Sequence, residues 1–378
     1  MGFNQRLAER VKLAAQAQPK KGGFWESTLE NISNGEVIPI VSGSFRLEQV
    51  FRAMAGELSE KTEMEGPELT VVEMLIKQWA SLFEYPMQDD YNLARVVQYY
   101  LVEKLRDQKD EKIANKVVRS DIVNFLKTSL LAIAGDDADY SDVIAGLENQ
   151  MDELSFSEMV RQLDYPRFSE PIEDPFRILA RFPLKFYITT GQSDFMERAL
   201  MAEDKEPRTQ VCYWSGEPGN VLKEHRTDQN FEPSIDQPMV FHLFGLENYP
   251  ETLVLSEDDY ISFLISNVED TNNQNPIVPL NLRKALGTSQ LLLLGYRLYD
   301  WDFRVLFRFL LKFRIKETSL RGMLLQLKQK EDDPKTKKTL DYLGRYFDMN
   351  KFDIEWSDTG VFIQRLWQEW DTNKQRRQ

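Results

Sequence analysis

The sequence predicts an α/β protein whose mostly parallel sheet is covered by helices on both faces. Two observations predict this class. Short apolar runs that resemble strands alternate with segments of helical periodicity, and the runs are hydrophobic throughout, as in strands buried on both faces. A third observation is the helical periodicity of residues 59–180, where few strand-like runs occur. It predicts a helical module inserted into the sheet domain.

The N-terminal segment, residues 1–35, is predicted to contain two short helices. Residues 3–17 are amphipathic, and Pro19 with the glycine-rich turn after it ends that helix. The segment lacks the long apolar stretch and the cleavage site of a signal peptide. We therefore expect no secretion signal here.

The sheet domain is assigned to residues 36–58 and 181–378. In a parallel sheet, ligands bind where the strands present their carboxyl ends, at the switch point of the strand order. The segments directly after the strands are therefore the candidates for a binding site. The predicted strands are 37–41, 184–190, 210–214, 239–243, 252–255, 291–294, 321–326 and 352–356, and the predicted helices are 193–202, 257–266, 279–286, 302–314, 334–347 and 358–370.

The helical module, residues 59–180, has four segments with apolar residues at helical spacing. Aromatic residues around Trp79 and Tyr100 could form an interaction surface, although such a pattern is more often core. Its predicted helices are 69–83, 91–106, 113–134 and 140–150.

Composition disfavours several classes of function. The formal net charge of −14 argues against direct nucleic-acid binding through phosphate contacts. A single cysteine, Cys212, allows neither an intramolecular disulfide nor a cysteine zinc site, which fits a reducing, cytoplasmic setting. No apolar run reaches the length of a membrane span, so no membrane segment is predicted. No metal site is predicted either.

The first candidate segment, VIPIVSGSFR, joins a buried strand to a helix. Such a junction can present backbone N–H groups to a phosphate. Gly43 permits close approach, Ser44 follows it, and Arg46 could pair with the phosphate. The alternative is a tight turn followed by a surface arginine.

The second candidate segment, FYITTGQSDFMERAL, follows another strand. Thr190, Gly191 and Gln192 would lie over the sheet edge, where the polar side chains could hydrogen-bond a ribose or an amide. Ser193 or Asp194 is expected to cap the helix that follows. Capping alone would explain both of these residues.

The third candidate segment, VFHLFGLENYPETLVLSEDDY, contains His242 on a predicted strand. Strand alternation predicts that His242 and Phe244 share a face. His242 is a candidate base, although a lone strand histidine is more often structural. Ser256 and Asp259 form the pattern of a capping box.

The fourth candidate segment, LLLLGYRLYDWDFRVLF, begins with the most hydrophobic strand of the chain. Gly295 would let an adenine or ribose approach the backbone, with Arg297 beside it. Alternatively, Arg297, Asp300 and Asp302 could form a cluster of ion pairs.

Taken together and in this order, the segments resemble the sirtuin-like domains common in bacterial antiviral defence and conflict systems. The most specific pieces are ITTGQSDFMERAL, HLFG with LVLSEDDY, and LGYRLYDWDFRVLF. The resemblance covers roughly residues 36–56 and 175–310 and implies a Rossmann-like fold that binds NAD. Many members hydrolyse NAD to nicotinamide and ADP-ribose. They often act as homo-oligomers, or with an ATPase, an Argonaute-like protein or a sensor.

The chain departs from the family pattern at the positions that carry the chemistry. Ser42 and Ser44 stand where the family has glycines, Gly191 where it has an asparagine, Ser193 where it has an aspartate, and Phe244 where it has a histidine. The chain lacks the cysteine pairs that hold zinc in protein deacylases, which argues against deacetylation.

The resemblance therefore implies one of two functions. One is a divergent NAD glycohydrolase in which His242, Gln192 and Asp194 replace the lost catalytic side chains. The other is an inactive sirtuin-like subunit that senses a nucleotide or acts as a scaffold. In both, the expected cofactor-binding residues are Gly43, Ser44, Arg46, Thr190, Gly191, Gly295 and Arg297.

Overall fold

The computed structural model of the protein describes residues 22–55, 69–135, 140–166, 168, 173–215, 221–269, 276–297, 300–314, 321–326 and 334–377. The helix predicted over residues 3–17 lies outside these ranges. The seven strands are β1 Val37–Val41, β2 Phe186–Thr189, β3 Arg208–Val211, β4 Met239–His242, β5 Gln290–Leu294, β6 Gly322–Gln326 and β7 Phe352–Trp356.

All seven strands belong to one parallel sheet, in the order β3-β4-β2-β1-β5-β6-β7. The register aligns four strand ends, since Val41 pairs with Thr189 and Leu294, and Thr189 pairs with His242. The chain moves outward from β1 to β2, and later returns to the other side of β1 with β5. This order creates a switch point beside β1 and confirms the predicted Rossmann-like α/β class.

Fourteen helices lie in the described residues. They are α1 Gly22–Ser33, α2 Gly43–Ala55, α3 Val71–Ser81, α4 Leu93–Asp107, α5 Glu111–Ala134, α6 Ser141–Asn149, α7 Phe156–Gln162, α8 Pro175–Arg181, α9 Phe195–Met201, α10 Glu257–Glu269, α11 Leu280–Thr288, α12 Trp301–Phe313, α13 Pro334–Met349 and α14 Thr359–Arg377. No described helix is both long and apolar enough to cross a membrane.

Both faces of the sheet are buried by these helices. Alternate residues of β1 divide between two cores: Ile38 and Ile40 pack with α10, α11 and α12, whereas Val37 and Val41 pack with α1, α8, α9 and α14. A strand that is covered in this way needs apolar side chains on both of its faces. This explains the uninterrupted apolar runs of the sequence.

Five of the six described helices of the module, all but α6, begin at residues whose side chains accept backbone N–H groups. Thr70, Asn92, Asp110, Ser155 and Asp174 each cap a helix in this way. Each cap satisfies a backbone donor that the first helical turn leaves without a partner. The last two begin α7 and α8, which apolar periodicity alone did not predict because each helix has only two turns.

The module has its own aromatic core. Trp79 is buried, and its ring contacts those of Phe83 and Tyr100 at centroid distances of 5.2 and 5.3 Å. Leu253 and Leu255, from the loop after β4, pack into the same core. The aromatic residues therefore join the module to the sheet domain.

The predicted strand over residues 252–255 is wrong. A turn of 3-10 helix, Pro250–Thr252, occupies its start, and the Thr252 carbonyl accepts a hydrogen bond from the Trp214 indole at 3.0 Å. Leu253 and Leu255 are apolar because they contact the module rather than another strand. The apolar run correctly predicted that these residues are buried, but it did not predict that they pack against the module.

Candidate active site

A cavity of about 130 Å³ lies at the carboxyl ends of β1, β2 and β4. Its position agrees with the general location of ligands in parallel sheets. Polar lining comes from the sheet edge, chiefly from Ser42, Ser44, Arg46, Gln192, Ser193 and Glu247. Apolar lining comes both from the module, through Val72, Leu93, Val123, Leu126 and Phe156, and from the sheet domain, through Phe195, Met196, Phe244 and Val254. The cavity thus lies between the module and the sheet edge.

The loops after β1 and β2 touch through two glycines. A Cβ atom on Gly43 would lie 2.7 Å from the Cα of Gly191, and one on Gly191 would lie 3.2 Å from the Cα of Gly43 and 3.0 Å from Thr189 Oγ1. The close approach therefore requires glycine at position 43. It also leaves little room for a side chain at position 191, where the family has its asparagine.

Thr190 ties three strand ends together. Its backbone N–H donates to the Val41 carbonyl at 3.1 Å. Its hydroxyl accepts the Gly43 N–H at 3.3 Å and shares a hydrogen bond with the Tyr296 hydroxyl at 3.1 Å. Thr190 lines the cavity, but these bonds give its hydroxyl a structural role.

Arg46 is buried at the first turn of α2, so the alternative of a surface arginine is wrong. Its Nη2 donates to both carboxylate oxygens of Asp174, at 2.7 and 3.0 Å, and its guanidinium lies 4.0 Å from the ring centre of Phe176. Its Nε and Nη1 atoms are also buried, and they have no hydrogen-bond partner among the described residues. Arg46 lines the cavity, so these two nitrogens lie unpartnered beside it.

His242 is fully buried and does not line the cavity. Its Nε2 lies 2.8 Å from Glu197 Oε1, and its Nδ1 lies 3.2 Å from the Gly191 carbonyl oxygen. Burial lowers the pKa of His242, but the Glu197 carboxylate and the carbonyl outweigh it, so that the pKa is raised overall. Because both neighbours accept hydrogen bonds, the imidazolium form donates to both.

Phe244 does not share a face with His242, contrary to the alternation of a longer strand. β4 ends at His242, and the chain turns immediately after it. His242 therefore points toward Glu197 of α9, whereas Phe244 packs edge-on against Tyr260 and Phe263, each at 5.3 Å. The place of the family's histidine is filled by an apolar ring that lines the cavity.

Gln192 and Asp194, the other two predicted catalytic residues, lie in the same loop but point to different surroundings. Gln192 lines the cavity, whereas Asp194 does not; Asp194 pairs with Arg198 at 3.2 Å and accepts from the Ser157 hydroxyl. Asp194 occupies the N-cap position of α9 without making a side-chain capping bond. The expected cap is therefore absent from this residue.

Gly295 and Arg297, the predicted residues after β5, do not line the cavity. Gly295 has a φ of +79°, and a Cβ atom there would lie 2.4 Å from Phe45 Cβ, so packing accounts for the glycine. Arg297 pairs with Glu73 of α3 at 2.5 Å. It thus links the sheet domain to the module. The capping box of Ser256 and Asp259 is confirmed, with both bonds at 3.0–3.1 Å.

Glu247 lines the cavity and was missed by the sequence patterns. It is only 8% exposed, and its Oε2 accepts the Phe156 N–H at 3.0 Å. Oε1 is buried without a hydrogen-bond partner in the described part of the chain. Burial raises the pKa of this carboxyl, partly offset by the Phe156 N–H, by Ser193 and by Lys127. The available signal was its position, five residues beyond the end of β4.

Asp302 is the second carboxyl of the cavity. Burial raises its pKa to about 6, and one oxygen accepts the Phe303 N–H at 2.6 Å. Burial and the neighbouring Asp302 charge raise the pKa of Asp300 to about 7. In the described residues, no group of three or more His, Cys, Asp or Glu side chains could hold a metal ion.

Residues 185–346 match the family model of the SIR2-like domain. This part of the chain is therefore similar to a SIR2-like domain. The matched range begins just before β2 and ends within α13, so it contains the loops after β2, β4 and β5. It confirms the resemblance to sirtuin-like domains and points to an NAD-related function. A comparison with curated proteins found no match.

Proposed function

We propose that the chain binds NAD in this cavity and hydrolyses its nicotinamide–ribose bond, releasing nicotinamide and ADP-ribose. The observation that carries the proposal is Arg46, whose buried Nε and Nη1 have no partner within the described structure. Buried polar groups are nearly always hydrogen-bonded, so these donors fit an anionic ligand. The pyrophosphate of NAD supplies such an anion.

The surroundings of Arg46 support a pyrophosphate at this place. The side chain extends from the first turn of α2, a helix of 13 residues whose N-terminus carries partial positive charge. Asp174 already fixes the guanidinium through Nη2, which orients the two free donors. Such a preorganised arginine suits a phosphate better than a mobile surface side chain would.

The size of the cavity sets a condition on binding. About 130 Å³ is less than the roughly 300–1,000 Å³ typical of pockets for larger ligands. NAD therefore enters only if helices of the module move away from the sheet edge. Ion pairs at this boundary, such as Arg297–Glu73 and Arg95–Glu257, would have to open or slide.

The second candidate is a subunit that binds NAD without cleaving it. Gly191 and Phe244 stand where the family has catalytic side chains, and both are held by close packing. His242 has both ring nitrogens engaged outside the cavity. This arrangement favours a nucleotide sensor if no other group replaces the lost chemistry.

The cellular setting belongs to the same proposal. We place the chain in the cytoplasm, in a bacterial defence or conflict system, acting as a homo-oligomer or with an ATPase, an Argonaute-like protein or a sensor. The absence of zinc stays a prediction from the single cysteine. Native mass spectrometry of the chain and of its purified complexes would test the assembly.

Two measurements on the unmodified chain test the proposal. Calorimetry with NAD should show saturable binding, and chromatography of the same mixture should show nicotinamide. Binding without nicotinamide release would favour the sensor. Heat signals no different from buffer, for the chain alone and in its native complex, would contradict both candidates.

A further inference from the structure

We propose that Glu247 is the acid–base residue of the cavity, taking over the part that a histidine plays in the family. The inference rests on the proposed NAD hydrolysis and names a residue that makes it possible. It starts from the position of Glu247 in the loop after β4, beyond Phe244. The two side chains line the same cavity.

Backbone contacts hold Glu247 beside the other polar residues of the cavity. Its N–H donates to the Gln192 carbonyl at 2.7 Å, which joins the loop after β4 to the loop after β2. Its Oε2 accepts the Phe156 N–H at the start of α7. The carboxyl is therefore fixed from two sides, by the sheet edge and by the module.

The remaining oxygen, Oε1, is the atom available for chemistry. It is buried and has no hydrogen-bond partner in the residues that the structure describes. A buried carboxylate oxygen without a partner is costly, which is why such atoms in native proteins usually meet water or a ligand. A water molecule or a ribose hydroxyl in the cavity would satisfy it.

The surroundings of Glu247 raise the proton affinity of its carboxyl. Burial raises the pKa of the carboxyl, the Phe156 N–H, Ser193 and Lys127 oppose this, and Asp194 adds to it. A carboxylate with a raised pKa is a stronger base than an ordinary glutamate. Two carboxyl groups of differing environment are also the usual equipment for glycosidic cleavage.

The other ionisable groups near the cavity fit this role less well. His242 donates to Glu197 and Gly191 and lies outside the lining. Asp302 uses one oxygen to accept the Phe303 N–H and has no buried unpartnered atom. Glu247 is the cavity carboxyl with an unmet hydrogen bond.

In the proposed step, Glu247 Oε1 accepts a proton from a water molecule in the cavity. The water oxygen forms a bond to C1′ of the ribose while the bond from C1′ to the nicotinamide nitrogen breaks. The electron pair of the broken bond goes to the nicotinamide ring, which cancels its positive charge. Glu247 then releases the proton to solvent, so NAD and water give nicotinamide, ADP-ribose and one proton.

The test compares Glu247→Gln with Glu251→Gln, which removes a carboxyl from the same loop outside the cavity lining. Glutamine keeps an oxygen for the Phe156 N–H, so the fold should persist, as circular dichroism would show. We expect kcat to fall at least ~100-fold in Glu247→Gln, with the Kd for NAD within about 3-fold of wild type. Glu251→Gln should match wild type in both.

Two further readouts separate a base from a structural residue. The kcat of wild type should rise with pH through the pKa of Glu247, and this limb should vanish in Glu247→Gln. Infrared difference spectra without NAD should show a carboxyl that ionises above the ordinary range of glutamate in wild type and not in the variant. Glu247→Asp, which keeps a carboxyl one methylene shorter, should retain the pH limb at reduced kcat.

Failure of the inference and failure of the proposed function give different results. If Glu247→Gln hydrolyses NAD with the kcat and the pH dependence of wild type, the role of Glu247 is overturned, whereas NAD hydrolysis by the chain stands. Binding of NAD without turnover by wild type overturns both the hydrolysis and the base. Absence of NAD binding by wild type overturns the proposed function itself.

Discussion

The ends of β1 and β4 lie at the same edge of the sheet, and each has a buried polar residue nearby. Arg46 lies shortly after β1, and His242 is the last residue of β4. After β1, Arg46 holds Asp174 with one nitrogen and leaves two without partners. At the end of β4, His242 engages both nitrogens with Glu197 and Gly191. Both residues are thus buried near a strand end, but only Arg46 has side-chain nitrogens without hydrogen-bond partners in the described structure. The difference supports the proposal that Arg46 binds a ligand, and it favours a structural role for His242.

The largest effect that would test this comparison is expected from His242→Ala. The change leaves the buried Glu197 carboxylate without its cationic partner and with only the Thr209 hydroxyl as a donor, and breaking a buried pair typically costs about 3–5 kcal/mol. Urea unfolding should show this loss of stability. The half-buried His225, bonded to Tyr249 at 2.8 Å, offers a matched control. His225→Ala should cost about 1 kcal/mol.

A contrary result for His242→Ala would be unchanged stability together with loss of nicotinamide release. That outcome would place His242 in the chemistry after all. It would also mean that the imidazole leaves Glu197 and reaches the cavity when NAD binds.

An intermediate effect is expected from Gly43→Ala, which tests the contact between the loops after β1 and β2. The new methyl group would lie 2.7 Å from the Cα of Gly191, so the loops must move apart. Overpacking of this kind costs about 1–3 kcal/mol. Gly146→Ala is the control, because nothing lies within 4 Å of its added methyl group. In the interior of α6 it should stabilise by about 0.5–1 kcal/mol.

The smallest effect is a pH dependence carried by His242. Its pKa is raised from 6.5 in the folded chain, so the stabilisation is complete below that value and is lost as the pH rises through the raised pKa. The difference in unfolding free energy between wild type and His242→Gln should therefore shrink from pH ~6 to pH ~9. An increase over this range would show that the imidazole is neutral in the fold.

Most of the sheet could be predicted from the sequence because its strands are apolar on both faces. The segment over residues 252–255 shows the limit of that argument, since Leu253 and Leu255 are apolar for contact with the module. An apolar run reports burial and not the partner against which it is buried.

The site could be predicted only in part. Arg46 lies in the first turn of the helix that follows β1, within a strand–turn–helix segment that local sequence was enough to select. The contact between Gly43 and Gly191 joins residues far apart in the chain, so nothing local indicates it. Glu247 becomes distinctive through burial beneath α7 and the Phe156 N–H, which belong to a separate part of the sequence.

The measurement that tests the central claim most directly is an NAD titration of Arg46→Gln against Arg52→Gln. Both arginines lie on α2, but Arg52 is 44% exposed and pairs with Glu48 at the surface. Loss of hydrogen bonds to a charged group should weaken NAD binding by about 10–100-fold in Arg46→Gln, with Arg52→Gln unchanged. Equal NAD affinity in wild type and a folded Arg46→Gln would contradict the placement of the pyrophosphate.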